Sequence, residues 1–303
     1  FLATGDSFKT ISFSFRLGRS TVQSIIHHTC RIIVDILLEE VMPVPNEDTW
    51  NTIADYFWKM WQFPNCIGAL DGKHCVIQAP KNSGSLYWNY KKTFSLVLLA
   101  LVDAQYNFIA VDVGAYGKNS DAGILSNSNL GTSLENGSIN IPRGKKLPGS
   151  DVDLPMIIVG DEGFPLKTYL MRPYPGANLD NEKKIFNYRL SRARRVSENA
   201  FGILQQKFRI YTRRLQGTPE NLSVIILATC VLHNFIRQRE RYAHIARVSD
   251  SGDSTLETSE NLQSLRPTRG RATNAAFQVR DLLRTYFVSP AGQVEWQHKA
   301  TDL

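Results

Sequence analysis

Apolar residues in the first part of the chain recur with the spacing of two helices separated by a turn. Phe8, Ile11 and Phe15 lie three to four residues apart, as on one face of a helix. From Ser20 onward a second set follows the same period: Val22, Ile25, Ile26, Ile33 and Leu37. Gly18 stands between the two sets and allows a tight turn. The pattern predicts a helix-turn-helix over residues 7–41, with Ser20 as N-cap of the second helix and the second apolar set on its inner face.

Beyond residue 65 the apolar pattern changes from helical spacing to continuous runs typical of buried strands. The predicted strands are Cys66–Gln78, Phe94–Val102, Phe108–Val113 and Pro155–Gly160, of which the first three form an antiparallel meander. The predicted helices are Trp50–Trp61, Ser120–Leu130, Leu166–Met171, Ser191–Phe208, Asn221–Arg237 and Asn274–Phe287, the last capped by Asn274. This order predicts an α/β fold, a mixed sheet flanked by helices and preceded by an all-α region.

Composition narrows the class of protein. The chain has 303 residues, 43% of them hydrophobic and 21% charged, as in soluble globular proteins. Its apolar runs are shorter than the ~18 residues of a membrane-spanning helix, so we expect no membrane partner. The four cysteines lack paired spacing and the histidines do not cluster with them, which disfavours a structural zinc site and predicts buried free thiols. Because the chain begins with Phe1 rather than Met, we expect a fragment of a longer protein.

Positive charge is concentrated in one segment. The net charge is +7, but residues 183–214 hold ten Lys and Arg against one acid, Glu198, which gives +9 locally and −2 elsewhere. Such a segment favours a phosphate-rich polymer as partner over an ordinary solvated surface. The second predicted helix also begins with groups suited to phosphates and base edges: Arg19, Ser20, Thr21 and Gln23. An ordinary helical hairpin remains an alternative for that region.

Two aspartates lie in or at the end of buried strands. Asp71 is within the first central strand, and Asp161 ends the fourth. A buried carboxylate is costly unless it is hydrogen-bonded, paired or bound to a cation. One such residue is typical of a capped structural aspartate, whereas two, each near a glycine, favour a metal site. Glu198 supplies a third acid, and hard divalent cations such as Mg²⁺ prefer oxygen ligands.

Five motifs in a fixed order give the chain a family resemblance. They are Gly68–His74, Val113–Asp121, Val159–Pro165, Phe186–Arg195 with Glu198–Gly202, and Cys230–Phe235. Together they resemble the DDE-superfamily endonuclease of PIF/Harbinger transposases and of the Harbinger-derived nucleases of animals. The resemblance runs from about Asp6 to Gln297.

The resemblance implies an RNase H-like core in which the first and fourth strands are adjacent. It implies a triad of Asp71, Asp161 and Glu198, holding two Mg²⁺ or Mn²⁺ ions that activate a nucleophile and stabilise a leaving oxygen. Asp121 is a rival second acid; we favour Asp161, because Asp121 begins a predicted helix, where an N-cap role suffices. Lys73 lies on the same strand face as Asp71 and is expected to contact a phosphate, whereas His74 and His233 are interpreted as hydrogen-bonded structural residues.

The resulting hypothesis is a nuclear, metal-dependent DNA endonuclease or transposase, with the cytoplasm as a second location. Arg192, Arg194 and Arg195 would follow the DNA backbone, and the resemblance implies a separately encoded Myb/SANT-like partner. The alternatives are a domesticated, non-catalytic DNA- or chromatin-binding adaptor and an RNase H-like enzyme acting on RNA or hybrids. The oligomeric state stays open. The predicted parts are a helix-turn-helix region (1–45), a connecting helix (46–65), the nuclease domain (66–237), a partly disordered linker (238–273) and a C-terminal helix and tail (274–303).

Overall fold

Three helices precede the sheet. The structure is a computed structural model that describes residues 1–245, 262–264 and 272–297. The first helices are α1 (Phe8–Phe15), α2 (Arg19–Val41) and α3 (Glu47–Trp61). Gly18 is the N-cap of α2 and no side chain caps that helix, so the prediction of a Ser20 cap is wrong; Ser20 already lies in the first helical turn. This region is helical, as the sequence pattern predicts.

One mixed sheet forms the centre of the protein. The strands are β1 (Cys66–Val76), β2 (Ser95–Val102), β3 (Phe108–Tyr116), β4 (Lys145–Lys146), β5 (Asp153–Leu154), β6 (Ile157–Val159), β7 (Leu170–Met171) and β8 (Leu262–Ser264). The strand order is β3-β2-β1-β6-β7, with β4 and β5 forming a separate pair. The antiparallel β1–β2–β3 meander is confirmed, and β6 joins β1 in parallel, so the first and fourth predicted strands are adjacent.

Helices cover the sheet. The remaining elements are α4 (Asp121–Asn127), α5 (Asn129–Glu135), α6 (Asn181–Lys207), a 3₁₀ turn (Arg209–Thr212), α7 (Pro219–Ile245) and α8 (Asn274–Val288). Helices α3 and α6 pack against β1, α7 packs against β3 and α2, and α8 packs on α6. Strands β1 and β2 are buried along their whole length, because helices cover both faces of the sheet at these strands. The predicted α/β class, a mixed sheet flanked by helices after a helical N-terminal region, is confirmed, and the four cysteines are free and buried as expected.

Several predicted element boundaries are wrong, for local reasons. The helix expected at Leu166–Met171 is instead a turn followed by β7, since short apolar runs fit both periods. The single helix expected at Ser120–Leu130 is two helices, because the Ser128 hydroxyl accepts from the Gly131 N–H and starts α5. Thr273, rather than Asn274, caps α8.

The long basic helix starts earlier than its apolar pattern indicates. Its first residue is Asn181, ten residues before the predicted start, and the Asp180 side chain accepts from the Lys183 N–H as its N-cap. The extra turns carry the buried Ile185 and Phe186 onto the sheet side of α6. The helix therefore spans the whole width of the site described below.

Two further segments bear on the predictions. Of the partly disordered linker expected at 238–273, residues 246–261 and 265–271 lie outside the described residues, residues 238–245 continue α7, and Leu262–Ser264 pairs antiparallel with Lys73–Cys75. Within α7, Pro219–Glu240 is long and apolar enough to cross a membrane by length and composition alone. Half of that stretch is buried inside the protein, as expected for a core helix.

Candidate active site

Adjacent strands bring two carboxylates together. Ala69 of β1 is paired with Val159 of β6 in parallel register, and Asp71 and Asp161 each follow two residues later. Side chains two residues apart point to the same face of a strand, so the two carboxylates lie side by side at the end of β6. Asp71 is only 3% exposed. Burial and the neighbouring Asp71 carboxylate raise the pKa of Asp161 above its usual value, against the lowering effects of Arg194, the Gly163 N–H and Lys73.

Each aspartate has hydrogen-bond donors within reach. The Gly163 N–H donates to Asp161 Oδ1 at 2.9 Å, and the Gly72 N–H donates to Asp71 Oδ1 at 2.8 Å. On Asp71 Oδ2, Ser197 Oγ lies at 3.5 Å and Lys73 Nζ at 3.0 Å. Lys73 is itself buried, with its ammonium 5.4 Å from the centre of the Phe201 ring. The lysine expected on a phosphate is therefore ion-paired with Asp71.

Helix α6 forms the opposite wall of the site. Its polar side chains Asn187, Ser191, Arg194 and Glu198 follow one another at helical spacing and line a cavity of about 540 Å³. Asp71, Lys73 and Asp161 line the same cavity from the sheet. All three acids of the predicted triad thus line one cavity, although Glu198 is half-exposed and paired with Arg194 at 3.2 Å.

Sequence reasoning missed several residues of this cavity. Asn187, Ser191 and Tyr90 line it but were not predicted. The side-chain amide of Asn187 exchanges two hydrogen bonds with the backbone of Tyr174, at 2.7 and 3.0 Å, and so fixes the loop before α6. Counting back from Glu198 in steps of three or four would have identified the α6 residues.

The oxygen atoms of Asp71 and Asp161 fit a hard divalent cation, which takes carboxylate ligands and would relieve the repulsion that raises the Asp161 pKa. Within the described part of the chain, no group of three or more His, Cys, Asp or Glu side chains is close enough to hold a metal. Glu198 faces Arg194 instead. Asp71 and Asp161 therefore lie side by side, and Glu198 lines the same cavity without joining them.

The other candidates for ligands lie elsewhere or have partners. Asp121 is the first residue of α4, preceded by the cap Ser120, and it follows β3, which β2 separates from β1. Glu162 lines the cavity but is exposed. His74 Nδ1 lies 2.9 Å from Ser95 Oγ, and His233 Nε2 lies 2.8 Å from the Tyr106 carbonyl. Burial lowers the pKa of each histidine to about 4, in agreement with a neutral structural role.

The basic segment is divided between interior and surface. Arg189 is fully buried, Arg192 stacks over Trp296 at 4.1 Å from the ring centre, and Arg195 is exposed. Lys183 and Lys207 form ion pairs with Asp180 and Glu240. The local charge of +9 therefore overstates the exposed positive charge, because Arg189 is buried and two of the lysines are paired with acids outside the segment.

The predicted DNA-contacting residues of α2 lie apart from the carboxylates. Arg19, Ser20 and Thr21 are exposed and Gln23 is half-buried. Arg19 lines a second cavity, of about 390 Å³, together with Lys9, Arg213 and Arg214. Helix α1, the start of α2 and the residues after the 3₁₀ turn therefore present a second cluster of cations, of which only Arg19 was predicted as a contact.

Comparisons with known proteins agree with this arrangement. Residues 70–234 match the family described as DDE superfamily endonuclease. The chain is 32% identical to the Arabidopsis thaliana protein ALP1-like over 244 residues, which is 79% of this chain and 59% of that protein. It is 28% identical to the Arabidopsis protein named antagonist of like heterochromatin protein 1, over 78% of this chain and 59% of that protein.

An animal relative extends the comparison. Human HARBI1, which is named as a candidate nuclease, is 26% identical over 76% of this chain and 63% of its own length. The chain thus spans about three fifths of the length of these relatives. No solved structure matches it significantly. Because the matched region covers more than half of the chain and includes every acid of the carboxylate site, this chain belongs to the DDE superfamily endonuclease family.

Proposed function

We propose that this protein is a divalent-metal-dependent DNA endonuclease of the Harbinger transposase type. The observation that supports the proposal is the pair of adjacent, largely buried carboxylates, Asp71 and Asp161, in a cavity that Glu198 also lines. A carboxylate whose pKa is raised by burial and by a second carboxylate, and which lines a cavity, is a candidate for a functional site. The family membership adds DNA as the substrate class.

Each residue has a defined part in this proposal. Asp71 and Asp161 would hold Mg²⁺ or Mn²⁺, and Glu198 would join them after leaving Arg194. When bound, two such ions would supply nucleophile activation and stabilisation of charge on the scissile phosphate. The Gly72 N–H orients Asp71, and Lys73 neutralises it. Arg194, released from Glu198, would then be available to a phosphate oxygen.

The DNA would extend beyond the cavity. Arg192 and Arg195 would follow its backbone along α6, and the start of α2 would contact a second stretch through Arg19, Ser20, Thr21 and Gln23. A separately encoded Myb/SANT-like protein is the proposed partner, and the nucleus the proposed location. These two proposals rest on the family resemblance.

A second candidate function is a non-catalytic DNA- or chromatin-binding adaptor. The observation that favours it is that protein cations already neutralise two of the acids: Lys73 is paired with Asp71, and Arg194 with Glu198. A carboxylate site satisfied in this way does not need a metal to be stable. One of the relatives, moreover, is named for an effect on a heterochromatin protein.

The decisive experiment is nicking of duplex DNA during titration with Mg²⁺ or Mn²⁺. We expect Asp71→Asn, Asp161→Asn and Glu198→Gln each to lower the rate at least about 100-fold, as for groups that take part directly in the chemistry. Glu162→Gln is the matched control, because Glu162 lines the same cavity but faces solvent. Gel-shift affinity for DNA should stay the same in all four variants.

The outcomes separate the candidate functions. Unchanged nicking in all three triad variants would contradict the proposed mechanism. DNA binding by the wild type without cleavage in either metal would favour the adaptor. Faster cleavage of RNA or of an RNA–DNA hybrid than of duplex DNA would identify an RNase H-like enzyme instead.

A further inference from the structure

The outer side of α2 exposes large apolar side chains. Ile25, Ile32 and Ile36 are 50%, 40% and 66% exposed. The inner side, with the buried Cys30 and the partly buried Ile26 and Ile33, packs on α7. The sequence pattern assigned Ile25 to that inner side, and this prediction is wrong. Among the described residues, the outer side of α2 is therefore an unpartnered apolar face.

The exposed residues have the spacing of a helix-pairing seam. Ile25, Thr29, Ile32 and Ile36 follow one another at intervals of four, three and four residues. This alternation is that of the a and d positions of a coiled coil, which lie along one line of a helix. Arg19 lies about 120° around the helix from Ile25 and so outside the line. We call these four residues the α2 seam.

The α2 seam is symmetric about its own centre. A point between Cys30 and Arg31 is equally far along the chain from Ile25 and Ile36, and from Thr29 and Ile32. Two further exposed residues lie just beyond the helix ends, at equal distances along the chain from the same point: Leu17, 45% exposed, and Val44, 85% exposed. A contact between two identical chains about a two-fold axis requires a face that is complementary to itself in this way.

Charge gives the pairing a direction. Arg16, just before α2, and Arg19, its first residue, are exposed, whereas the part of α2 after the central Arg31 exposes Asp35, Glu39 and Glu40. An antiparallel pair would bring the cationic end of each helix beside the acidic end of the other and would oppose the two helix dipoles. A parallel pair would bring like charges together at both ends.

From the symmetry and the charges together, we propose that α2 pairs with α2 of a second copy of this chain, antiparallel, along the α2 seam. Ile25 of each chain would contact Ile36 of the other, and Thr29 would contact Ile32. A stable interface buries about 1,200–2,000 Å² in total. One helix pair is smaller than that, so we expect a dimer with micromolar rather than nanomolar affinity.

Sedimentation velocity of the full chain from about 1 to about 100 µM tests the proposal. We expect a concentration-dependent shift from monomer to dimer. Ile32→Glu, at the middle of the α2 seam, should weaken the dimer at least about tenfold and leave the circular dichroism spectrum of the monomer unchanged. Leu282→Glu is the matched control, because Leu282 is 42% exposed on α8 and lies outside the seam; this variant should dimerise as the wild type does.

Disulfide trapping tests the direction of the pair. Mixing Ile25→Cys with Ile36→Cys should give a cross-linked dimer, and neither variant alone should cross-link efficiently, since antiparallel helices separate like positions by about 16 Å along the axis. The four native cysteines are buried, so they leave this readout clear. A monomer at every concentration, a dimer insensitive to Ile32→Glu, or efficient cross-linking by Ile25→Cys alone would each overturn the proposal.

Discussion

Helix α6 and its neighbours bury charged side chains at two sites, and the surroundings of the charge differ between these sites. At the Arg189 site, the guanidinium donates to the carbonyls of Gln62 and Gly292 and to Gln297 Oε1, and it stacks 4.1 Å from the centre of the Phe287 ring. Burial lowers the pKa of Arg189 to about 10, which still leaves it charged at neutral pH. At the carboxylate site, Asp71 and Asp161 are like charges side by side.

The difference separates a structural role from a functional one. Arg189 joins α6 to the end of α3 and to the segment after α8, and all of its named partners are neutral acceptors or rings of the protein itself. At the carboxylate site, burial and the neighbouring Asp71 instead raise the pKa of Asp161, and both aspartates border an open cavity. The terminal nitrogens of Arg189 are satisfied by the protein itself, although its buried Nε has no hydrogen-bond partner. Like charges beside an open cavity, in contrast, can be relieved by a bound ligand.

The largest effect expected from this comparison is on stability. Arg189→Met should lower the free energy of unfolding by about 3 kcal/mol, because it leaves buried carbonyls without donors. Arg192→Met, three residues away on the same helix, should cost less than about 1 kcal/mol, since it loses only a partly exposed stacking contact with Trp296. Urea denaturation at constant m-value measures both. Equal losses would show that burial does not distinguish the two arginines.

The sequence contains a signal for Arg189 that a count of charges does not use. Arg189 lies four residues after Ile185 and three after Phe186, within the apolar stripe of α6. Strand β2 is predictable because its nearly continuous apolar run reflects burial on both faces. Strands of two or three residues, such as β7 and β8, cannot be predicted from the local sequence, because hydrogen bonds to their partner strands provide most of their stability.

The carboxylate site is predictable in its sheet half and less so in its helix half. Asp71 and Asp161 are conspicuous because an acid in an apolar strand is costly. Lys73 is paired with Asp71, and Glu198 with Arg194. Both pairings depend on side-chain conformations that are set by tertiary contacts. The identities of these residues are in the sequence, but their pairings are not.

Removing Lys73 would sharpen the comparison by increasing the repulsion at the carboxylate site. Lys73→Met should lower the free energy of unfolding by about 2 kcal/mol in EDTA, because it leaves Asp71 buried without its cation. If the aspartates bind metal, Mn²⁺ should restore more stability to this variant than to the wild type. Thermal unfolding in EDTA and in MnCl₂ measures both quantities. The same loss in both solutions would mean that Lys73 has a packing role only.

The smallest expected effect has the opposite sign. Asp161→Asn should slightly raise the free energy of unfolding in EDTA, because it removes a charge that burial and the neighbouring Asp71 both disfavour and keeps the side chain's shape. The same variant should lose the stabilisation by Mn²⁺, since one of the two liganding carboxylates is gone. Glu162→Gln, which changes an exposed acid on the same cavity, should do neither. A fall in stability for Asp161→Asn in EDTA would instead group Asp161 with Arg189, as a buried charge that the fold itself satisfies.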